Sequence, residues 1–407
     1  MKRKLYWLLS TLILLAACEK SNDGVLAAFD VYSEMVANRA KPVALHYPME
    51  PSMIDRLWPE FMDIADKHQV QLYREDNFPN SLLFPAKITD GKTVVLIYNG
   101  KSLTQYLQLK KDLAADPGVD FSHSVALARR FGRLLGYTPQ GINDLLARQT
   151  GYQNLHQASV EIQTTHLYYE DLSRAVHFYG NTLGLEQVDD TTYRISEHAL
   201  LSLHSHSETH PVGQPKSTAI AFLTDQLPAW YEYVQSQNIP IKYTYKPRDG
   251  GPHDGFVAID PEGYLLEFEE FKQHSENEVF MSILENTQRV KTKIDGLHFF
   301  GSITWTYHKD LLKVQNFYQD VLGYELVADQ GWTKIFQTAE SAFVGLVDER
   351  RGMEDYADTK AVEITWQVAR LNELDVYASQ HWPHYRYSNG SFQGPEGYRY
   401  TVLTDSE

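Results

Sequence analysis

Apolar positions change their spacing several times along the chain, and each change marks an element. Residues 5–17 form a mostly apolar run. Residues 25–38 and 53–68 repeat apolar side chains every three or four positions, the helical period, with Ser52 a candidate N-cap for the second. Residues 69–73, 81–84 and 93–98 read as strands, the last closed by Asn99-Gly100. Helical spacing returns over 103–115, 125–135 and 142–148, with Thr138 as N-cap and Pro139 at the first helical position of the last. From residue 160 the elements shorten. A strand over 160–168 precedes a helix that Asp171 caps and Gly184 ends, followed by strands over 185–188, 192–195 and 199–203. A strand over 219–223, a helix over 227–237 and strands over 241–243, 256–259 and 264–269 repeat the plan. That is βαβββ twice, an α+β pattern, and it begins again at Ser302.

An internal repeat underlies this. Asp171-Leu172 and Phe178-Tyr179 recur as Asp310-Leu311 and Phe317-Tyr318. Leu183-Gly184, Glu186 and Val188 recur as Leu322-Gly323, Glu325 and Val327, all at the offset 310 − 171 = 139. Asp260-Pro261-Glu262-Gly263-Tyr264 is echoed by Gly394-Pro395-Glu396-Gly397-Tyr398. Two copies of one domain of about 110 residues follow.

This succession of motifs resembles the vicinal oxygen chelate superfamily, which includes glyoxalase I, type I extradiol dioxygenases, fosfomycin-resistance enzymes and bleomycin-binding proteins. The resemblance covers residues 158–272 and 298–407. It implies paired βαβββ modules curled into a cup in each copy. The domains then read as a leader over 1–17, a tether over 18–24, an α/β accessory domain over 25–155, a first copy over 156–272, a helical linker over 273–297 and a second copy over 298–407.

Metal-dependent members of that superfamily place a His on the first strand of each paired module and a Glu on a last strand. By resemblance the His positions here hold Thr164 and Thr218 in the first copy, and Ile303 and Glu363 in the second. The Glu position holds Glu267 in the first copy and Thr401 in the second. Two threonines and one carboxylate make a poor site for iron, zinc or nickel. Strand side chains repeat with period two, so His166 and Tyr168 share the face of Thr164, and Glu269 that of Glu267. His166 and Glu267 are thus candidates to meet in the first cup, as an acid–base pair, a shifted metal site or a structural hydrogen bond. No cofactor is predicted; a divalent metal stays open chiefly through that pair. His204, His206 and His210 read as a solvated loop, with zinc as the weaker alternative, and His253 stands on a loop beside the cup. In the second cup Trp305 and Tyr307 form an aromatic wall with Glu363 and Arg399. That suits a small organic ligand, or else Glu363 and Arg399 neutralise each other in a packed barrel.

Charge and cysteine usage narrow the partners. The chain has 37 basic and 53 acidic residues and one Cys, so no intramolecular disulfide forms. Lys2, Arg3 and Lys4 precede the apolar run, which is shorter than the roughly 20 residues a spanning helix needs and fits a signal peptide. Leu15-Ala16-Ala17-Cys18 resembles a bacterial lipobox, which implies cleavage before Cys18 and a lipid anchor on it. Glu19 in place of Asp implies the outer membrane, facing the periplasm. Without the three leader cations, 34 of the 37 basic residues face 53 acids, a net of −19. That excess of acid argues against nucleic acid. Arg129, Arg130 and Arg133 give residues 125–148 a superficial helix-turn-helix look, set aside because the leader exports the chain. Three functions remain: a metal-free binding protein for a small ligand, a metal-dependent lyase or dioxygenase using His166 and Glu267, or a scaffold for a protein partner.

Overall fold

The structure, a computed structural model, describes residues 22–116, 118, 121–150, 155–369 and 390–404. The apolar leader and Cys18 lie outside these residues. Among the described residues no helix is long and apolar enough to cross a membrane. The chain divides into two compact units, Met1–Tyr152 and Gln153–Glu407.

In the first unit, β1 (Val43–Leu45), β2 (Gln71–Glu75) and β3 (Val94–Tyr98) form an antiparallel sheet in the order β1-β3-β2. Alternate residues of β3 enter two cores. Val95 and Ile97 pack with Phe29, Leu57 and Phe61 of α1 (Asn22–Ala37) and α2 (Pro51–His68). Val94 and Leu96 pack with Tyr106, Leu109 and Phe131 of α3 (Ser102–Ala115) and α4 (Phe121–Leu134); Ile142 and Leu146 of α5 (Pro139–Thr150) complete that core. Burial on both faces explains the unbroken apolar run of β3. Two expectations fail locally. Residues 81–84 form a turn in which the backbones of Ser81 and Phe84 bond each other at 3.1 and 3.2 Å. Helix α2 starts at Pro51 after an N-cap at Glu50, so Ser52 lies within the first turn.

The second unit opens with the one-turn helix α6 (Leu155–Ala158). The first module is β4 (Val160–Tyr169), α7 (Leu172–His177), β5 (Glu186–Gln187), β6 (Thr192–Ser196) and β7 (Ala199–Ser205). The second is β8 (Thr218–Leu223), α8 (Leu227–Ser236), β9 (Ile241–Tyr243), β10 (His253–Ile259) and β11 (Leu265–Phe271). Helix α9 (Glu278–Leu284) and the pair β12 (Val290–Lys291) and β13 (His298–Phe299) connect the copies. The third module is β14 (Gly301–His308), α10 (Leu311–Asn316), β15 (Glu325–Asp329), β16 (Thr333–Ala339) and β17 (Ala342–Asp348). The fourth shows β18 (Val362–Val368), β19 (Ser391–Gln393) and β20 (Arg399–Thr404). The repeat is exact in its caps: Asp171 accepts from the Arg174 N–H and Asp310 from the Lys313 N–H, both at 3.0 Å. Both helices then widen into a π turn, Phe178–Thr182 and Phe317–Leu322.

The modules do not pair copy by copy. One sheet runs β15-β16-β17-β14-β8-β11-β10-β9 and the other β19-β20-β18-β4-β7-β6-β5. The second and third modules therefore share one cup, through antiparallel β8 and β14. The first and fourth share the other, through antiparallel β4 and β18. This corrects the expectation of one cup per copy. Each module offers the edge of its first strand, and strand parity does not say which neighbour will take it.

The repeated Pro-Glu-Gly-Tyr turns tie the cups together. Glu262 accepts the N–H groups of Glu170 and Asp171 at 2.9 and 2.7 Å, and Glu396 those of Lys309 and Asp310 at 3.0 and 2.9 Å. The Tyr264 hydroxyl accepts from the Tyr168 N–H at 3.0 Å and donates to the Ala361 carbonyl at 2.8 Å. Tyr398 does the same with the Tyr307 N–H and the Ser217 carbonyl, at 2.8 and 3.0 Å. One core under both sheets receives Tyr179, Trp230 and Tyr318 from the helices. The concave face of the eight-stranded sheet is itself partly filled. Phe280 of α9 packs edge-on against Phe271 and Phe343, with ring centroids 4.8 and 4.9 Å away.

Candidate functional site

Strand parity puts Glu267 and Glu269 side by side on the concave face of β11, with His253 beside them on β10 and Trp305 and Tyr307 across the cup on β14. They line a cavity of about 140 Å³ that Trp332 and Met353 help to close. Both carboxyls are buried, 8% and 5% exposed. Burial, and then the charge of Glu269, raises Glu267 well above the usual carboxylate range. Glu269 is also raised by burial, against the pull of His253, Glu267 and Trp305. Two carboxyls this close and this buried resist ionising together, and Glu267 is the one raised further. His253 Nε2 stands 4.0 Å from Glu269 Oε1. Three buried polar atoms of this wall make no hydrogen bond of good geometry among the described residues, Glu269 Oε2, His253 Nδ1 and Trp305 Nε1, although the indole N–H lies close enough to Glu269 to pull on it. Buried polar groups are almost always paired, so an acceptor and a donor left open toward one cavity mark it as a binding site.

The other cup has a polar face whose central side chains bond one another, while the His206 ring and Gln214 Oε1 lack hydrogen-bond partners among the described residues. His166 bonds His204 through Nδ1 at 2.8 Å and Thr365 through Nε2 at 2.8 Å. His210 Nε2 bonds Glu363 at 2.9 Å and stacks on Tyr168 at 3.5 Å between ring centroids. Arg399 reaches Glu363 at 3.4 Å. Burial, and then His204, pushes His166 down to about 4. Burial works to raise Glu363, but the His210 bond and Arg399 outweigh it and hold it low.

The structure redistributes the residues singled out in the sequence. His166 and Glu267 stand in different sheets, because their strands join different cups, so they form no pair. Trp305 and Tyr307 face Glu267 and Glu269, not Glu363 and Arg399. Thr164 pairs in register with Thr365 in the polar cup, and the Thr218 hydroxyl donates to the Trp305 carbonyl at 2.8 Å in the apolar one. His204, His206 and His210 do not form a solvated loop: His210 is 3% exposed, and His206 lies 4.0 Å from Glu262. The metal-ligand positions of the eight-stranded cup make a poor metal set: Thr218 is spent on a backbone carbonyl, Ile303 carries no donor atom and burial works against an ionised Glu267. Among the described residues no three His, Cys, Asp or Glu side chains converge as a metal site would require.

Two glycines that seat the site's aromatic rings were not singled out in the sequence. Trp305 lies flat on Gly345, where an added Cβ would come within 1.9 Å of the indole. Tyr307 lies on Gly352, with 2.4 Å to an added Cβ. Gly345 interrupts an apolar strand run, the one signal that something approaches the backbone there.

Residues 161–268 match the model of the Glyoxalase/Bleomycin resistance protein/Dioxygenase superfamily. This stretch is a domain of that superfamily. Among solved structures, glyoxalase I from Zea mays is 13% identical, covering 61% of this chain and 92% of its own, at a TM-score of 0.41. Lactoylglutathione lyase from Agrobacterium tumefaciens is 22% identical over 27% of this chain and 97% of its own, at 0.23. A Vibrio cholerae integron cassette protein is 20% identical over 27% and 94%, at 0.23. No curated protein matches the sequence. The superfamily domain spans β4 to β11, two modules that sit in different sheets.

Proposed function

We propose that the chain is an envelope-anchored, metal-free binding protein for a small planar organic molecule, held in the cup of the eight-stranded sheet. The observation that carries this reading is the set of open atoms Glu269 Oε2, Trp305 Nε1 and His253 Nδ1 around an aromatic cavity. A cavity of about 150 Å³ takes one benzene ring, and the chamber here is about 140 Å³. A planar ring with an N–H donor edge stacks beside Trp305 and Tyr307 and donates to Glu269. A cation is favoured, because two buried carboxyls and two aromatic rings line the chamber. The anchor rests on the lipobox-like Leu15-Ala16-Ala17-Cys18.

The test uses benzamidine, a planar cation with N–H donors. Calorimetry gives binding by the wild type, at least tenfold weaker binding by Glu269→Gln, and none by Trp305→Ala. Equal affinity in all three overturns the reading. Stoichiometric iron, zinc or nickel in purified protein, lost in Glu267→Gln, would revive the enzyme alternative. For the anchor, Cys18→Ser releases the protein from the membrane fraction; a variant that fractionates and is processed like wild type refutes it.

A further inference from the structure

The inner chamber opens on a second space of about 400 Å³, and the two share His253, Glu267, Glu269 and Met353 on their walls. The rim between the modules is fixed: Lys242 of β9 donates to the Met353 carbonyl at 2.9 Å and to Glu354 at 3.0 Å. The outer space adds cations that the inner one lacks. Lys246 and Arg248 line it, both exposed, and neither side chain has an acidic partner among the described residues. Asp254, the acid on the same wall, is already committed: it pairs with Lys272 at 2.6 Å and accepts the Arg248 backbone N–H at 3.0 Å. In a chain with a formal charge of −16, two unpaired cations at the mouth of an otherwise acidic cavity are a local inversion of sign.

We infer that the ligand is bipolar, with its planar N–H donor end in the inner chamber against Glu269 and an anionic group, a carboxylate or a phosphate, held at the mouth by Lys246 and Arg248. This rests on the binding function proposed above and names the other half of the molecule bound. The inner chamber is filled by one ring, so the 400 Å³ outside it is the room for a tail. An arginine fork and a lysine ammonium together suit an oxyanion, the one bidentate and the other a point charge. A ligand with both ends also removes a problem for either end alone. A simple cation would meet repulsion at the mouth, and a simple anion would meet it at the floor.

The experiment separates this inference from the reading beneath it. Calorimetry compares benzamidine, 4-(4-amidinophenyl)butanoate and the uncharged amide of that acid. The acid is expected to bind at least tenfold more tightly than its amide, and the margin should shrink as salt is raised. In Lys246→Ala/Arg248→Ala the acid and its amide become equal, while benzamidine binds at least as tightly as in wild type; both residues are exposed, so the fold is not at risk. A butyl phosphate tail in place of the carboxylate tells which oxyanion is preferred. Acid and amide of equal affinity in the wild type, with benzamidine still bound, overturn the bipolar ligand and leave the planar-ligand reading standing. No binding by any of the three overturns both.

Discussion

The two cups of the second unit are built from the same module, yet they treat polar groups in opposite ways. In the cup of the seven-stranded sheet, His166, His204, His210, Glu363 and Thr365 each have a partner at 2.8 or 2.9 Å. In the cup of the eight-stranded sheet, the carboxyl pair is buried under aromatics and leaves three polar atoms open. A saturated network rigidifies a wall, whereas an unsaturated one keeps binding free energy for a ligand. The imidazole-rich cup ties up its central groups and leaves the His206 ring and the Gln214 carboxamide oxygen without hydrogen-bond partners among the described residues, whereas in the other cup the open atoms lie around the chamber itself.

The sharpest way to break the comparison is Gly345→Val. The added side chain displaces Trp305, and overpacking of this kind costs about 3 kcal/mol. Urea denaturation should show that loss, and benzamidine binding should vanish, while the His166 and His204 imidazole resonances stay in place. Movement of those resonances would mean that the cups are not separate systems.

Acid and base should act on the cups with opposite sign. His166 is lowered to about 4 in the folded chain, so the unfolded chain binds more protons between pH 6.5 and 4. Stability is therefore complete above pH 6.5 and falls as pH drops through that window, by up to about 3 kcal/mol. Glu267 is raised, so its contribution is complete below pH 4.5 and declines as pH rises toward the folded value. Thermal unfolding across pH checks both: His166→Gln should flatten the acid limb and Glu267→Gln the other.

Glu267→Gln tests how strongly the buried pair resists ionising together. A neutral amide donates to Glu269 much as the protonated carboxyl does, so the change in stability at pH 7 should stay under about 1 kcal/mol. Two ionised carboxylates would instead repel, and the variant would then be stabilised by more than that.

The smallest effect belongs to Arg399→Ala. Its bond to Glu363 is 3.4 Å long and half-exposed, so the loss should be within about 0.5 kcal/mol. A larger loss in denaturant titration would show that Glu363 depends on Arg399 more than on His210.

Strand parity made part of this legible. Period two placed Trp305 beside Tyr307 and Glu267 beside Glu269, and the repeat predicted both helix caps. It could not join the faces: Glu267 meets Trp305, and His166 meets Glu363, only because the modules pair crosswise. That choice lies in long-range packing of equivalent strand edges and leaves no local pattern. The glycines under the two aromatics were nearly silent: Gly345 only interrupts an apolar run, and an absent side chain records no partner.

The crosswise pairing also sets an order of assembly. Leu223 and Gly301, which pair at the inner seam, are 301 − 223 = 78 residues apart; Leu167 and Val362, at the outer seam, are 362 − 167 = 195 apart. The shorter loop closes at lower entropic cost, and once it is closed it shortens the path to the longer one. Pulsed hydrogen exchange during refolding should find β8 and β14 protected before β4 and β18, and simultaneous protection would refute this order. During synthesis β4 is made early, yet its partner strand begins only at Val362. Through that interval its edge is bare, and an unpaired edge is the part of a nascent chain most in need of shielding from its neighbours.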